Sequence, residues 1–192
     1  MDKGIVAITG ATGFLGTALT SHLLSLGYKI RAHVHTPDKA KLVADGIDVF
    51  VGEISDRKVM SELVDGADYV IHTVSNFRNT IGKEDVYRRI NVEGTCAVLD
   101  AAIEKGVKRF VHCSTIGVHG DVKQTPASEQ SPYAPGDLYQ ETKLEAEKYV
   151  LSKVGSSSTE IAVIRPCSMY GPGDLRMLKM FKMLSKGRFF FV

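Results

Sequence analysis

Ile5-Val6-Ala7-Ile8-Thr9 runs directly into Gly10-Ala11-Thr12-Gly13-Phe14-Leu15-Gly16 near the start of the 192-residue chain. Five residues almost without polar side chains suit a strand covered on both faces. The glycines that follow answer separate demands. Gly10 permits a tight turn, Gly13 lets the backbone approach a bound pyrophosphate, and Gly16 lets a helix pack closely on the strand. Free N–H groups at the start of a helix opening at Phe14, aided by its dipole, attract the anion. Strand, glycine turn and helix in this order predict a dinucleotide-binding unit.

The same alternation continues along the chain. Strands are expected at Ile5–Thr9, Lys29–Val34, Asp48–Val51, Tyr69–Thr73, Arg109–Ser114 and Glu160–Arg165. Helices are expected between or after them at Phe14–Leu26, Asp38–Asp45, Lys58–Val64, Asp85–Lys105, Leu138–Val154 and Arg176–Ser185. Repeated strand–helix alternation predicts an α/β fold, a doubly wound parallel sheet of Rossmann type with helices on both faces. Ligands in such folds sit beyond the carboxyl ends of the strands.

Composition narrows the classes. Lys and Arg number 24 against 22 Asp and Glu, a net charge of +2, with no basic stripe for nucleic acid. No apolar run approaches the roughly 18 residues of a membrane span, and the first residues lack the pattern of a signal peptide. Cys96, Cys113 and Cys167 are an odd count at no metal-ligand spacing, which suggests reduced thiols in a cytoplasmic protein without a metal. The last residues, Phe189-Phe190-Phe191-Val192, read as a strand just beginning.

Tyr139-Gln140-Glu141-Thr142-Lys143 sets a phenol and an ammonium four apart on one predicted helix, on one face and roughly 6 Å apart along the axis. An unperturbed tyrosine titrates too high for acid–base work at neutral pH. A nearby ammonium is expected to stabilise the phenolate and lower that value.

The glycine spacing of Thr9–Gly16 resembles the fingerprint of the short-chain dehydrogenase/reductase superfamily. The likeness is to its extended branch of sugar-nucleotide epimerases and dehydratases, dihydroflavonol-4-reductases and 3β-hydroxysteroid dehydrogenases. The resemblance implies a nicotinamide dinucleotide held by Gly10, Thr12, Gly13, Phe14, Leu15 and Gly16. It adds contacts from Glu53 and Ile54 after the third strand, from Thr73 and Val74 after the fourth, and from Tyr139, Lys143 and Pro166. His112–Gly120 resembles the family's strand-end pattern, which makes Thr115 the catalytic hydroxyl beside Tyr139 and Lys143, with Ser114 the runner-up. Asn91 matches the asparagine of the family's long central helix and implies structural support, a tie to backbone or to a water near Lys143. His72 is expected to be a packed residue, and Cys167 a small wall residue. Asp56 offers a helix cap.

The stretch Tyr28–Thr36 has no acid at its end, where one would favour NAD, and His35 stands where dihydroflavonol reductases carry arginine. The expectation favours NADP(H) over NAD(H), with Lys39 and Lys41 as supporting charges. Three functions follow. The first is an oxidoreductase transferring hydride between nicotinamide and a ketone, aldehyde or alcohol. The second is a nucleotide-sugar epimerase or dehydratase that retains its cofactor. The third, of another class, is a non-catalytic dinucleotide-binding module. The resemblance further implies pairing of two chains through the two long helices. It also implies that residues 1–192 are the cofactor half of a longer enzyme, with the C-terminal substrate-binding segment largely absent, so that this half alone binds dinucleotide weakly and turns over little.

Overall fold

The six apolar runs become six parallel strands in the computed structural model, which describes residues 3–41, 43–77, 84–123, 125–174 and 177–188. They are β1 (Ile5–Thr9), β2 (Lys29–Val34), β3 (Asp48–Val51), β4 (Tyr69–His72), β5 (Arg109–Cys113) and β6 (Glu160–Ile164), in the spatial order β3-β2-β1-β4-β5-β6. Ile8 of β1 stands level with Ala32 of β2 on one side and with Ile71 of β4 on the other. The chain winds outward from β1 to β3, returns to β4 beside β1, and winds outward again to β6. The crevice at the β1/β4 reversal is where such sheets bind ligands.

Helices α1 (Phe14–Ser25), α3 (Arg57–Val64), α5 (Gly94–Glu104) and α6 (Leu138–Ser152) make the long connections. Alternate residues of β1 look to opposite faces, as the pleat requires. Ala7 joins a core of Leu63, Val98, Phe110 and Val150 on one face, and Val6 and Ile8 join Ile30 and Ala32 on the other. Both faces are therefore dry, which explains why the strands read as nearly unbroken apolar runs.

Three elements depart from expectation. The helix expected over Asp38–Asp45 is a single turn, α2 (Pro37–Ala40), none of whose residues is buried; without an apolar face a short helix has little to hold it. The helix expected over Asp85–Lys105 comes in pieces: α4 (Glu84–Tyr87), a π-helical turn at Arg88–Glu93, and α5. In the wide turn the Gly94 N–H reaches back five residues to Arg89 O. The last helix, α7 (Leu178–Leu184), is shorter than the expected Arg176–Ser185. The strand expected at Phe189–Val192 lies outside the described residues.

Candidate active site

Gly10 turns the chain at φ +73°, and its carbonyl accepts the Gly13 N–H at 2.9 Å. A Cβ at Gly16 would stand 2.0 Å from the Gly10 oxygen, against 3.2 Å for one at Gly13. The helix thus lies on the loop at a distance only glycine allows at position 16. Gly13 precedes α1 in extended conformation with no side chain capping the helix, and the first turn carries no acid. The positive end of the helix thus faces the loop with no acidic side chain in its first turn, which suits an anion. Thr12, Phe14 and Leu15 are half-buried there.

Side chains from β4 hold this loop in place. Thr73 donates twice to Thr9: its N–H to Oγ1 at 3.1 Å and its hydroxyl to the carbonyl oxygen at 2.7 Å. Thr73 and Val74 are what a Cβ on Gly10 would meet. His72 is fully buried between Thr9 Oγ1 and Thr95 Oγ1, at 2.8 and 2.9 Å. Thr95 gives its own proton to Asn91 O, so it accepts from His72 Nε2–H. Burial, reinforced by the Lys143 charge, holds His72 neutral with its pKa well below the usual value. It is a packed residue, as expected. Asn91, inside the π-helical turn, accepts the Asn76 N–H at 2.7 Å and donates to Thr142 Oγ1 at 3.0 Å. It ties the turn to backbone and to α6.

At the ends of β2 and β3, His35 Nε2 lies 3.2 Å from Glu53 Oε1, and both side chains are exposed. Lys41 is paired with Asp38. Asp56 caps α3, accepting from the N–H groups of Lys58 and Val59. Ile54 is buried against Gly94, where a Cβ would come within 2.7 Å of it. Its side chain is therefore committed to the core rather than to the crevice.

A cavity of about 620 Å³ opens beyond β4, β5 and β6, and its lining includes Leu15, Thr73, Ser75, Thr115, Tyr139 and Pro166. The hydroxyls of Ser75 and Thr115 stand close to the Tyr139 phenol in this cavity, and the Phe77 ring meets it edge-on with the ring centres 4.7 Å apart. Thr115 Oγ1 also accepts the Gly117 N–H, capping the 3-10 turn Ile116–His119. The Pro166 carbonyl accepts the Ile116 N–H at 3.1 Å. Cys167 is exposed on the same wall.

Lys143 behaves differently from the sequence expectation. It is 1% exposed, and its ammonium donates to Cys113 O at 2.8 Å. Burial pulls its pKa down to about 8. The Tyr139 phenol is raised rather than lowered: burial dominates, and the nearby hydroxyls of Ser75 and Thr115 pull only partly the other way. Tyr139 and Lys143 do share a helix face, yet in this state of the protein the ammonium supports the end of β5 rather than the phenol.

Ser75 and Phe77, just beyond the expected contacts Thr73 and Val74, escaped the sequence reading. Also missed was Glu147, a fully buried carboxylate that accepts from Ser114 Oγ at 2.5 Å and pairs with Arg165 at 2.6 Å. A signal for it existed: Glu147 follows Lys143 by four, extending the Tyr139 stripe by one more turn. The bond to Glu147 also separates the two hydroxyl candidates. Ser114 spends its proton on Glu147, whereas Thr115 faces Tyr139.

Comparison with known proteins gives the family and the same fold. Residues 6–187 match the model of the NAD dependent epimerase/dehydratase family. The chain is 34% identical over 196 residues to a 3 beta-hydroxysteroid dehydrogenase/Delta 5→4-isomerase of Mycobacterium tuberculosis, covering 97% of this chain and 53% of that protein. It is 33% identical to a UDP-glucose 4-epimerase of Vibrio cholerae, covering 97% and 58%. A crystal structure of a short-chain dehydrogenase/reductase superfamily protein from Agrobacterium tumefaciens with bound NAD superposes with a TM-score of 0.76 at 29% identity, covering 84% of this chain and 48% of the other. The chain spans about half the length of the curated relatives it matches. Among the described residues no helix is long and apolar enough to cross a membrane.

Proposed function

The chain belongs to the NAD dependent epimerase/dehydratase family, and on that premise we propose that it forms the dinucleotide-binding part of an oxidoreductase in which Tyr139 moves the proton. The observation that carries this reading is that Tyr139 and Thr115 line one cavity, with the Thr115 hydroxyl close to the phenol and Leu15 of the glycine loop on the border. Bound nicotinamide supplies or accepts the hydride. In the reducing direction Tyr139 gives its proton to the substrate oxygen as the carbonyl carbon receives hydride, and Thr115 holds that oxygen by a hydrogen bond. Lys143 keeps the β5 end in place and is the cation nearest in sequence to the phenol. Gly10, Thr12, Gly13, Phe14, Leu15 and Gly16 would hold the pyrophosphate and its neighbours, with Thr73, Val74 and Pro166 bordering the nicotinamide end. Substrate contacts come mainly from a further segment, and two copies pair through the α4–α5 and α6 helices.

For the dinucleotide, the fold changes the balance. The strand β2 carries no acid, which pointed to NADP(H), but Glu53 is brought to within 3.2 Å of His35 from the next strand. A carboxylate there suits a ribose diol and opposes a phosphate. NAD(H) is therefore the proposed partner, and NADP(H) the alternative.

The substrate is a ketone or aldehyde in the first reading. The likeness to a protein described as a UDP-glucose 4-epimerase favours a second, in which a nucleotide sugar is oxidised and reduced again on one retained cofactor. One experiment serves both. NADH and NADPH are titrated by nicotinamide fluorescence, and single-turnover hydride transfer is followed with carbonyl compounds and with UDP- and dTDP-sugars. Tyr139→Phe is expected to slow transfer by about 10²–10⁴-fold while cofactor affinity holds. Undiminished transfer would remove Tyr139 from the chemistry, and tighter binding of NADPH would reverse the choice of dinucleotide.

A further inference from the structure

Behind the cavity wall three polar side chains, Ser114, Tyr133 and Arg165, converge on one carboxylate. Glu147 Oε2 accepts the Ser114 hydroxyl at 2.5 Å, Oε1 accepts the Tyr133 hydroxyl at 3.1 Å, and Arg165 donates to both oxygens, through Nε at 3.1 and 3.2 Å and through a terminal nitrogen at 2.6 Å. The guanidinium is spent as completely. It donates to Tyr133 Oη at 2.7 Å, to Glu129 O at 3.1 Å and to His119 Nε2 at 3.0 Å. A guanidinium only donates, so His119 Nε2 is an acceptor and its proton sits on Nδ1, facing Pro132 O at 3.2 Å. The His119 and Tyr133 rings stack at 5.6 Å.

The placement of these groups matters more than their number. Glu147 lies on α6, two turns beyond Tyr139 and one beyond Lys143. Ser114 immediately precedes Thr115 at the end of β5, and Arg165 immediately precedes Pro166 at the end of β6. Each partner of Glu147 on a strand is thus covalently next to a residue that lines the cavity. The pair is deeply buried, with Glu147 at 0% and Arg165 at 15% exposure. Apolar residues of similar volume at such a place generally stabilise a protein as well or better, so stability alone gives no reason for two charges here. A carboxylate fully committed to three elements does give one, because its fixed geometry sets their mutual position.

We propose that Glu147 is the positioning residue of this site: through Ser114 and Arg165 it sets the ends of β5 and β6, and with them Thr115 and Pro166, against the Tyr139 face of α6. The role rests on the reading of Thr115 and Tyr139 as the groups that meet substrate. Glu147 itself touches neither substrate nor cofactor.

The test replaces the whole pair, Glu147→Leu with Arg165→Met, and separately makes Ser114→Ala, which removes a single hydroxyl and spares the fold. The double variant is expected to keep its melting temperature and to hold NADH with a Kd within threefold of the parent, while single-turnover hydride transfer falls at least tenfold. Ser114→Ala is expected to lower transfer at least threefold, again with cofactor affinity unchanged. Full transfer in both variants would overturn the proposal and leave a merely structural pair. Tyrosine labelled with ¹³C at Cζ gives a second readout that needs no turnover. In the cofactor-free protein both variants should move the Tyr139 signal in the direction that Thr115→Ala moves it, and an unmoved signal overturns the positioning role. If the parent transfers no hydride, the proposed function fails, and the Tyr139 signal still decides for or against Glu147.

Discussion

At the β1 end of the cavity the chain makes its site by leaving side chains out; at the β5–β6 end it does so by crowding polar side chains together. Gly10, Gly13 and Gly16 present backbone, and the close seat of α1 on the loop exists because no Cβ intervenes. Ser114, Tyr133, Glu147 and Arg165 instead fix two strand ends through a chain of hydrogen bonds. The first device has no adjustable part, since a backbone carbonyl cannot move aside. The second can be retuned residue by residue, because each bond can be lost singly. The glycine loop is thus expected to be brittle toward substitution, and the cluster around Glu147 graded.

The sharpest way to break this contrast is Gly16→Ala. Its Cβ would lie 2.0 Å from the Gly10 oxygen, so helix and loop must separate. We expect a loss of about 2–3 kcal/mol in stability, read by urea denaturation, and at least a tenfold loss of NADH affinity by fluorescence. Gly13→Ala, where the same contact is 3.2 Å, should cost less stability. Equal costs would show that the loop yields, contrary to the brittle picture.

At the graded end, Lys143 offers an intermediate effect with a definite sign. Its folded pKa of about 8 lies below the ordinary 10.5, so between those values the unfolded chain binds more protons than the folded one. Stability must then rise with pH across that window, by up to about 1.4 kcal/mol per unit from this group. Below pH 8 the burial cost of the ammonium is present in full. Lys143→Met should remove the rise, so that denaturation curves of parent and variant differ in slope with pH between 8 and 10.5. Parallel slopes would mean that the ammonium is not buried in solution.

The smallest effect belongs to a second Arg–Glu pair, which joins β5 to β6. Arg109 and Glu160 meet at the opposite end of β5 and β6, with side chains 55% and 66% exposed. Water screens such a pair, and Arg109→Ala should cost less than about 1 kcal/mol. A larger loss, measured by thermal denaturation, would undo the distinction between the exposed pair and the buried Glu147–Arg165 pair.

What could be read from the sequence follows the same division. Strand positions were legible because both faces of the sheet are dry, so burial writes itself as unbroken apolar runs at Ile5–Thr9 and Lys29–Val34. The glycine cradle was legible because a requirement for no side chain is a requirement on residue type at a fixed spacing. Tyr139 and Lys143 were legible as a pair because helical periodicity is local. The π-helical turn around Asn91 was not, since its cause, the bonds of Asn91 to Asn76 and Thr142, spans segments far apart in the chain. The helix expected over Asp38–Asp45 was drawn too long because none of the residues of α2 is buried, and local pattern does not record burial.

The sequence by itself determined the doubly wound sheet, the family and the glycine turn after β1, because local spacing and hydrophobic pattern carry those. Only the tertiary structure decided which way Ser114 and Thr115 turn, that Lys143 binds the Cys113 carbonyl rather than the phenol, and that Glu53 faces His35. Each of these depends on which atoms the sheet order brings within about 3 Å of one another, and sequence separation does not record that distance.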